Sequence, residues 1–121
     1  MGKTILVVDD DAMNLRMAEM ILKKKDYDVK KADSGQAALA LLQEETVDLI
    51  LLDVEMPGMS GIETLDAIRA RLEPEEMPVL FLSASEDMEQ AVAKGEYSVQ
   101  GFVRKPVLPQ KLYESVTALI E

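Results

Sequence analysis

The chain has 121 residues, 23 of them acidic and 13 basic, for a formal net charge of −10, and it contains neither cysteine nor histidine. That length suits one domain over residues 1–121 with a single hydrophobic core. Such acidity argues against nucleic acid and anionic membranes as direct partners, and the two missing residue types exclude disulfides, thiolate zinc sites and His-dependent triads. Chemistry is left to carboxylates, hydroxyls, lysines and oxygen-bound metals.

Taken in chain order, Ile5–Val8 is a continuous apolar run of strand length that runs straight into Asp9, Asp10 and Asp11. Those aspartates argue against a secretory signal. Met13, Met17, Met20 and Ile21 then recur at i, i+4, i+7 and i+8, which predicts one face of a first helix. A weak strand, DVKKA, follows at 28–32. Leu49–Leu52 is a second continuous apolar run, closed by Asp53 and a Pro-Gly turn, and Ile62, Leu65, Ile68 and Leu72 trace the face of a later helix. Val79–Leu82 is a third such run and ends at Ser83. GFVRK at 101–105 is a weak last strand, and Leu112, Val116, Leu119 and Ile120 predict a C-terminal helix. The longest unbroken apolar run, Ala37–Leu42, has six residues, so no membrane insertion is expected and the protein is expected to be cytoplasmic.

The alternation of strands and helices predicts an α/β fold, a doubly wound three-layer arrangement in which helices cover both faces of a parallel sheet. Cations in DVKKA and GFVRK suit edge strands. Right-handed crossovers then favour a five-stranded order 2-1-3-4-5, whose winding reverses between strands 1 and 3. Ligands in such sheets bind at the carboxyl ends of the strands beside that reversal. Asp9, Asp10 and Asp11, then Asp53, Ser83 and Lys105 all stand at those ends, where neighbouring strands lie about 4.8 Å apart.

Each residue alone has a plainer explanation. Asp11 suits the cap of the first helix, and Ser83 begins SASE, a capping box with Glu86. Lys105 could be a solvated strand end and Asp53 a loop acid. Capping does not explain why all of them gather at one edge of the sheet. Two carboxylates about 4 Å apart repel by ~4 kcal/mol at an effective dielectric near 20, so an acid cluster needs a cation. With only oxygen ligands on offer, a hard ion such as Mg²⁺ fits. A metal, the Lys105 ammonium and the Ser83 hydroxyl around a carboxylate make a receptor for a phosphoryl group, with Asp53 as the nucleophile.

ILVVDDD at 5–11, LILLDVEMPGMSG at 49–61, VLFLSA at 79–84 and GFVRKP at 101–106, in this order and spacing, resemble the receiver domains of two-component response regulators. The resemblance covers nearly the whole chain. It implies that Asp53 accepts a phosphoryl group from a phosphohistidine on a sensor histidine kinase or histidine phosphotransfer protein. It implies that Asp9 and Asp10 hold Mg²⁺ with Asp53 and the backbone carbonyl of Glu55, that Ser83 and Lys105 bind phosphoryl oxygens, and that the Lys105-Pro106 bond is cis. Such a protein is a phosphoacceptor that assists its own phosphorylation and dephosphorylation, not an enzyme with a separate substrate. Ser83 would then be drawn to the phosphoryl group and Phe102 would swing inward, a switch role favoured over the plainer one of a permanent core phenylalanine. A downstream effector would read helix 4, strand 5 and helix 5, with Val107, Leu108 and Tyr113 as contacts or as ordinary packing.

The chain departs from the family pattern in places. Ser98-Val99 stands where many members have Gly-Ala, and Gly95 falls inside the expected fourth helix, predicting a short or distorted one. Glu55 and Ser85 hold positions where the family varies and where a hydrolytic water would approach. A haloacid-dehalogenase-like phosphohydrolase also places an Asp after an apolar strand, but DVEMP lacks its DxDx[TV] pattern. A flavodoxin-type carrier needs a Ser/Thr-rich phosphate loop where this chain has three aspartates. A receiver-like binding module that works without phosphorylation would not need the full Asp, Ser and Lys set.

Overall fold

A computed structural model describes residues 2–121. The elements are β1 (Thr4–Val8), α1 (Ala12–Lys23), β2 (Asp28–Ala32), α2 (Gly35–Glu44), β3 (Leu49–Asp53), α3 (Gly61–Arg69), β4 (Val79–Ser83), α4 (Glu86–Ala93), β5 (Gly101–Arg104) and α5 (Pro109–Ile120). The five strands form one parallel sheet in the order β2-β1-β3-β4-β5, as the alternation predicted. β3 and β4 are buried along their whole length, which is why they read as unbroken apolar runs. The edge strands β2 and β5 expose their cations.

Side chains alternate between two cores. Leu6, Val8, Ile50, Leu52, Val79 and Phe81 pack under α2, α3 and α4, while Ile5, Val7, Leu49, Leu51, Leu80, Leu82 and Val103 pack under α1 and α5. The helices start where local chemistry allows. Asp11 caps α1 by accepting the Met13 N–H at 2.8 Å, and Ser60 and Glu63 form a reciprocal capping box on α3. Ser85, not Ser83, caps α4, so the SASE reading as a Ser83 capping box is corrected.

The first helix also differs from the expected face. α1 buries Leu15, Ala18 and Leu22, while Met13, Met17 and Met20 are 72%, 46% and 58% exposed. The two sets lie about 165° apart around the helix. Both satisfy helical periodicity, so the pattern alone could not choose between them. The branched leucines and a small alanine fit closely against the sheet.

α4 is short, as Gly95 predicted, and the glycine lies beyond the helix instead of inside it. With φ +78°, Gly95 closes a Schellman turn in which its N–H donates to the Val92 carbonyl and the Glu96 N–H to the Ala91 carbonyl, both at 3.0 Å. Ser98-Val99 is accommodated by Arg69, whose guanidinium donates to the Ser98 carbonyl at 2.7 and 2.9 Å, while Val99 packs on the core. Among the described residues, no helix is long and apolar enough to cross a membrane.

Candidate functional site

The register sets out the site. Val8 lies opposite Leu52, Asp53 opposite Leu82, and Ser83 opposite Arg104, so β1, β3, β4 and β5 end side by side. Strand alternation puts Asp9, Asp53 and Lys105 in phase with Val7, Leu51 and Val103, on the α1/α5 side. Ser83 and Phe102 share the opposite phase with Phe81.

Asp9 and Asp53 are each only 1% exposed, whereas Asp10 stands in solvent. One carboxylate oxygen from each of the three lies within 4.8 Å of the others. The Lys105 ammonium reaches Asp53 Oδ1 at 3.0 Å and Asp9 Oδ2 at 3.2 Å. Asp9 is held further by the Asp11 N–H at 3.0 Å and by the Asn14 amide at 3.3 Å. Asp53 Oδ1 also accepts the Glu55 N–H at 3.3 Å. Both of those donors fall on Oδ1, so among the described residues Oδ2 has no hydrogen-bond donor.

The electrostatics follow from burial. Desolvation pushes the Asp53 carboxyl up to about 6; the Lys105 hydrogen bond opposes that rise and the Asp9 charge adds to it. Burial alone would lower the Lys105 ammonium, but Asp53 and Asp9 together hold it above its ordinary value. Three acids and one ammonium leave the cluster net negative, with oxygen ligands throughout. That donor set fits a hard divalent cation.

A tight loop keeps Asp53 in place. The Gly61 N–H donates to the Val54 carbonyl at 2.9 Å, folding the Pro57-Gly58 turn back over the strand end. A Cβ at Gly61 would stand 2.2 Å from the Asp53 carbonyl oxygen and 2.6 Å from the Val54 Cα. Backbone cannot yield as a flexible side chain can. Gly61→Ala is therefore expected to lower stability by about 3 kcal/mol, read from the urea midpoint, and an unchanged midpoint would contradict this close approach.

Ser83 is fully buried, and its hydroxyl faces the Glu55 carboxylate at 3.0 and 2.8 Å while accepting the Ser85 N–H at 3.0 Å. The Lys105 N–H donates to the Ser83 carbonyl at 3.0 Å, and the Lys105-Pro106 bond is cis. Phe102 is half-buried against the core that contains Phe81. Leu108 is exposed, and Val107 packs under α5. Tyr113 does not join the α4–β5–α5 face, because its ring lies beneath the Lys25 ammonium in the turn after α1, 4.5 Å from the centroid. Sequence reasoning missed two contacts, Asn14 on Asp9 and the Glu55 carboxylate on Ser83. The first had a signal in its spacing, one turn into the helix that follows Asp9.

The family model for the response regulator receiver domain matches residues 5–117. The chain is 36% identical over 116 residues to the transcriptional regulatory protein ResD of Bacillus subtilis, covering 96% of this chain and 47% of ResD. It is 33% identical over 118 residues to the chemotaxis protein CheY of Pseudomonas aeruginosa, covering 97% of this chain and 95% of CheY. The chain thus spans about half of one relative and nearly all of the other. Among solved structures, CheY4 of Vibrio cholerae superposes with a TM-score of 0.88 at 28% identity, over 98% of this chain and 99% of that one. TrrA of Thermotoga maritima, determined in complex with Mg²⁺-BeF, superposes with a TM-score of 0.85 at 29% identity, over 97% and 98%.

Proposed function

This chain belongs to the response regulator receiver domain family of two-component signalling, and on that premise we propose that Asp53 accepts a phosphoryl group from a phosphohistidine on a sensor histidine kinase or histidine phosphotransfer protein. The observation that carries the reading is the pairing at Asp53. Lys105 and the Glu55 N–H both hold Oδ1, which leaves Oδ2 as the lone-pair donor. Oδ2 attacks phosphorus in line, the P–N bond to the donor imidazole breaks, and its electron pair leaves with the imidazole nitrogen. The product is an aspartyl phosphate.

Mg²⁺ would be held by Asp10, Asp53, the Glu55 carbonyl and Asp9, and when bound it supplies positive charge against the developing phosphoryl oxygens. Lys105 neutralises the same oxygens from the other side, already within reach of Asp53. The Ser83 hydroxyl donates to the group once formed. Ser83 and Phe102 project to the same side of the sheet, so a Ser83 that turns to the phosphate leaves room into which Phe102 moves. The altered α4–β5–α5 face, with exposed Leu108, would then be read by a downstream effector. The protein acts as a phosphoacceptor in the cytoplasm and not as a turnover enzyme.

The exposed methionines of α1 suit the docking of the phosphodonor. Met17 lines the crevice that also holds Asp9, Asn14 and Lys105, so a helix laid along Met13, Met17 and Met20 would bring its histidine to the acids.

The test is mass spectrometry after incubation with Mg²⁺ and acetyl phosphate. One phosphoryl group should be gained, and none in the presence of chelator; no gain with Mg²⁺ would reject the reading. Met17→Glu should keep the gain from acetyl phosphate and slow transfer from a phosphohistidine protein by about 10-fold. Equal slowing with both donors would reject the docking surface.

A phosphohydrolase is the weaker alternative. The acid two residues after Asp53, Glu55, is engaged with Ser83, and the family match offers that alternative no support.

A further inference from the structure

Glu55 straddles the two groups that matter. Its main-chain N–H donates to Asp53 Oδ1 at 3.3 Å, while its carboxylate takes the Ser83 hydroxyl at 3.0 and 2.8 Å. Ser83 lies at the end of β4, next to Leu82, which pairs with Asp53 across the sheet. The hydroxyl has one proton to give. Its oxygen is further fixed by the Ser85 N–H at 3.0 Å, so rotor and acceptor are both set in this state.

We propose that the Glu55 carboxylate is a positioning group that holds the Ser83 hydroxyl in the unphosphorylated protein and must release it before that hydroxyl can bind a phosphoryl group on Asp53. The inference rests on the phosphoacceptor reading above and deepens it. A phosphoryl group brings new acceptor oxygens and negative charge. It competes with Glu55 for a single proton, and the two anions repel across the shared donor. Loss of the Glu55 bond therefore accompanies capture of Ser83. Because Ser83 and Phe102 share one side of the sheet, the same bond biases Phe102 toward its resting position. Glu55 thus sets how readily the receiver switches.

The experiment is a double-mutant cycle on Glu55 and Ser83, read by titrating the Mg²⁺-loaded protein with beryllofluoride and following amide NMR shifts. Glu55→Ala should tighten beryllofluoride binding by about 3- to 10-fold. In the unliganded protein it should also move the Ala84 and Phe102 amides toward their bound positions. Glu55→Gln keeps an acceptor but not the charge, so it should fall between wild type and Glu55→Ala. In a Ser83→Ala background the Glu55→Ala effect should vanish.

An equal gain in both backgrounds would mean that Glu55 acts by repelling the phosphoryl group directly, and would overturn the proposal. Unchanged or weaker binding in Glu55→Ala and Glu55→Gln would overturn it as well. Wild type that binds beryllofluoride without Glu55–Ser83 coupling sinks this inference alone. Wild type that neither binds it nor gains a phosphoryl group sinks the phosphoacceptor reading with it.

Discussion

Asp53→Asn is expected to abolish phosphoryl gain and, in chelator at neutral pH, to make the protein more stable. Asparagine keeps the shape but cannot act as the nucleophile. The stability effect follows from the raised Asp53 pKa, about 6 against an ordinary 3.8. The folded protein holds this proton more tightly than the unfolded chain does, so the ionised carboxylate costs stability. That cost is complete above about pH 6 and disappears as pH falls toward the ordinary carboxylate range. Two pKa units set a ceiling of about 3 kcal/mol, and an asparagine that pairs poorly with Lys105 reduces the gain to about 2 kcal/mol. Thermal unfolding at pH 8 should show the variant melting about 5 °C higher, with the difference shrinking by pH 4.5. A variant that melts lower at pH 8 would contradict the electrostatics derived for the cluster.

Lys105→Met carries the second large effect. The substitution keeps the length of the stem and removes the charge between Asp53 and Asp9. Phosphoryl gain from acetyl phosphate should slow by about 100-fold, because a fixed cation facing the developing oxygens is lost. Stability at pH 7.5 should fall by about 2 kcal/mol, since two buried acids then lack their ammonium. The pair's contribution persists below the ordinary lysine value, because the Lys105 pKa is raised, and it is lost only as pH climbs through that higher value. On the acid side it fades when Asp53 takes its proton, near 6. The stability deficit of Lys105→Met should therefore narrow below pH 6. A deficit constant from pH 4.5 to 8 would contradict the pairing.

Elements buried on both faces are legible in the sequence, whereas contacts between single side chains are not. β3 and β4 announced themselves because burial on both faces leaves no room for polar residues. The strand order followed from the charged edges DVKKA and GFVRK, and the order in turn brought Asp9, Asp53, Ser83 and Lys105 to one edge. The face of α1 could not be read. Its methionines and its leucines both repeat helically, and only the fit against the sheet decides which set is covered. Ser83 and Ser85 are both good caps two residues apart, and the register of β4, which ends at Ser83, leaves Ser85 to start α4. The Glu55–Ser83 bond was hidden for a different reason. The two residues lie 28 positions apart, and only the β3–β4 pairing brings them together.

If Asp53, Asp9, Asp10, Ser83 and Lys105 form one phosphoryl site around one cation, a crystal structure of the protein with Mg²⁺ and beryllofluoride will show all five at the same adduct. Beryllofluoride should be bonded to Asp53 Oδ2, with Lys105 and Ser83 within hydrogen-bond distance of its fluorines and the ion held by Asp9, Asp10, Asp53 and the Glu55 carbonyl. A fluoride adduct on another residue, or Lys105 turned away from an occupied Asp53, would contradict it.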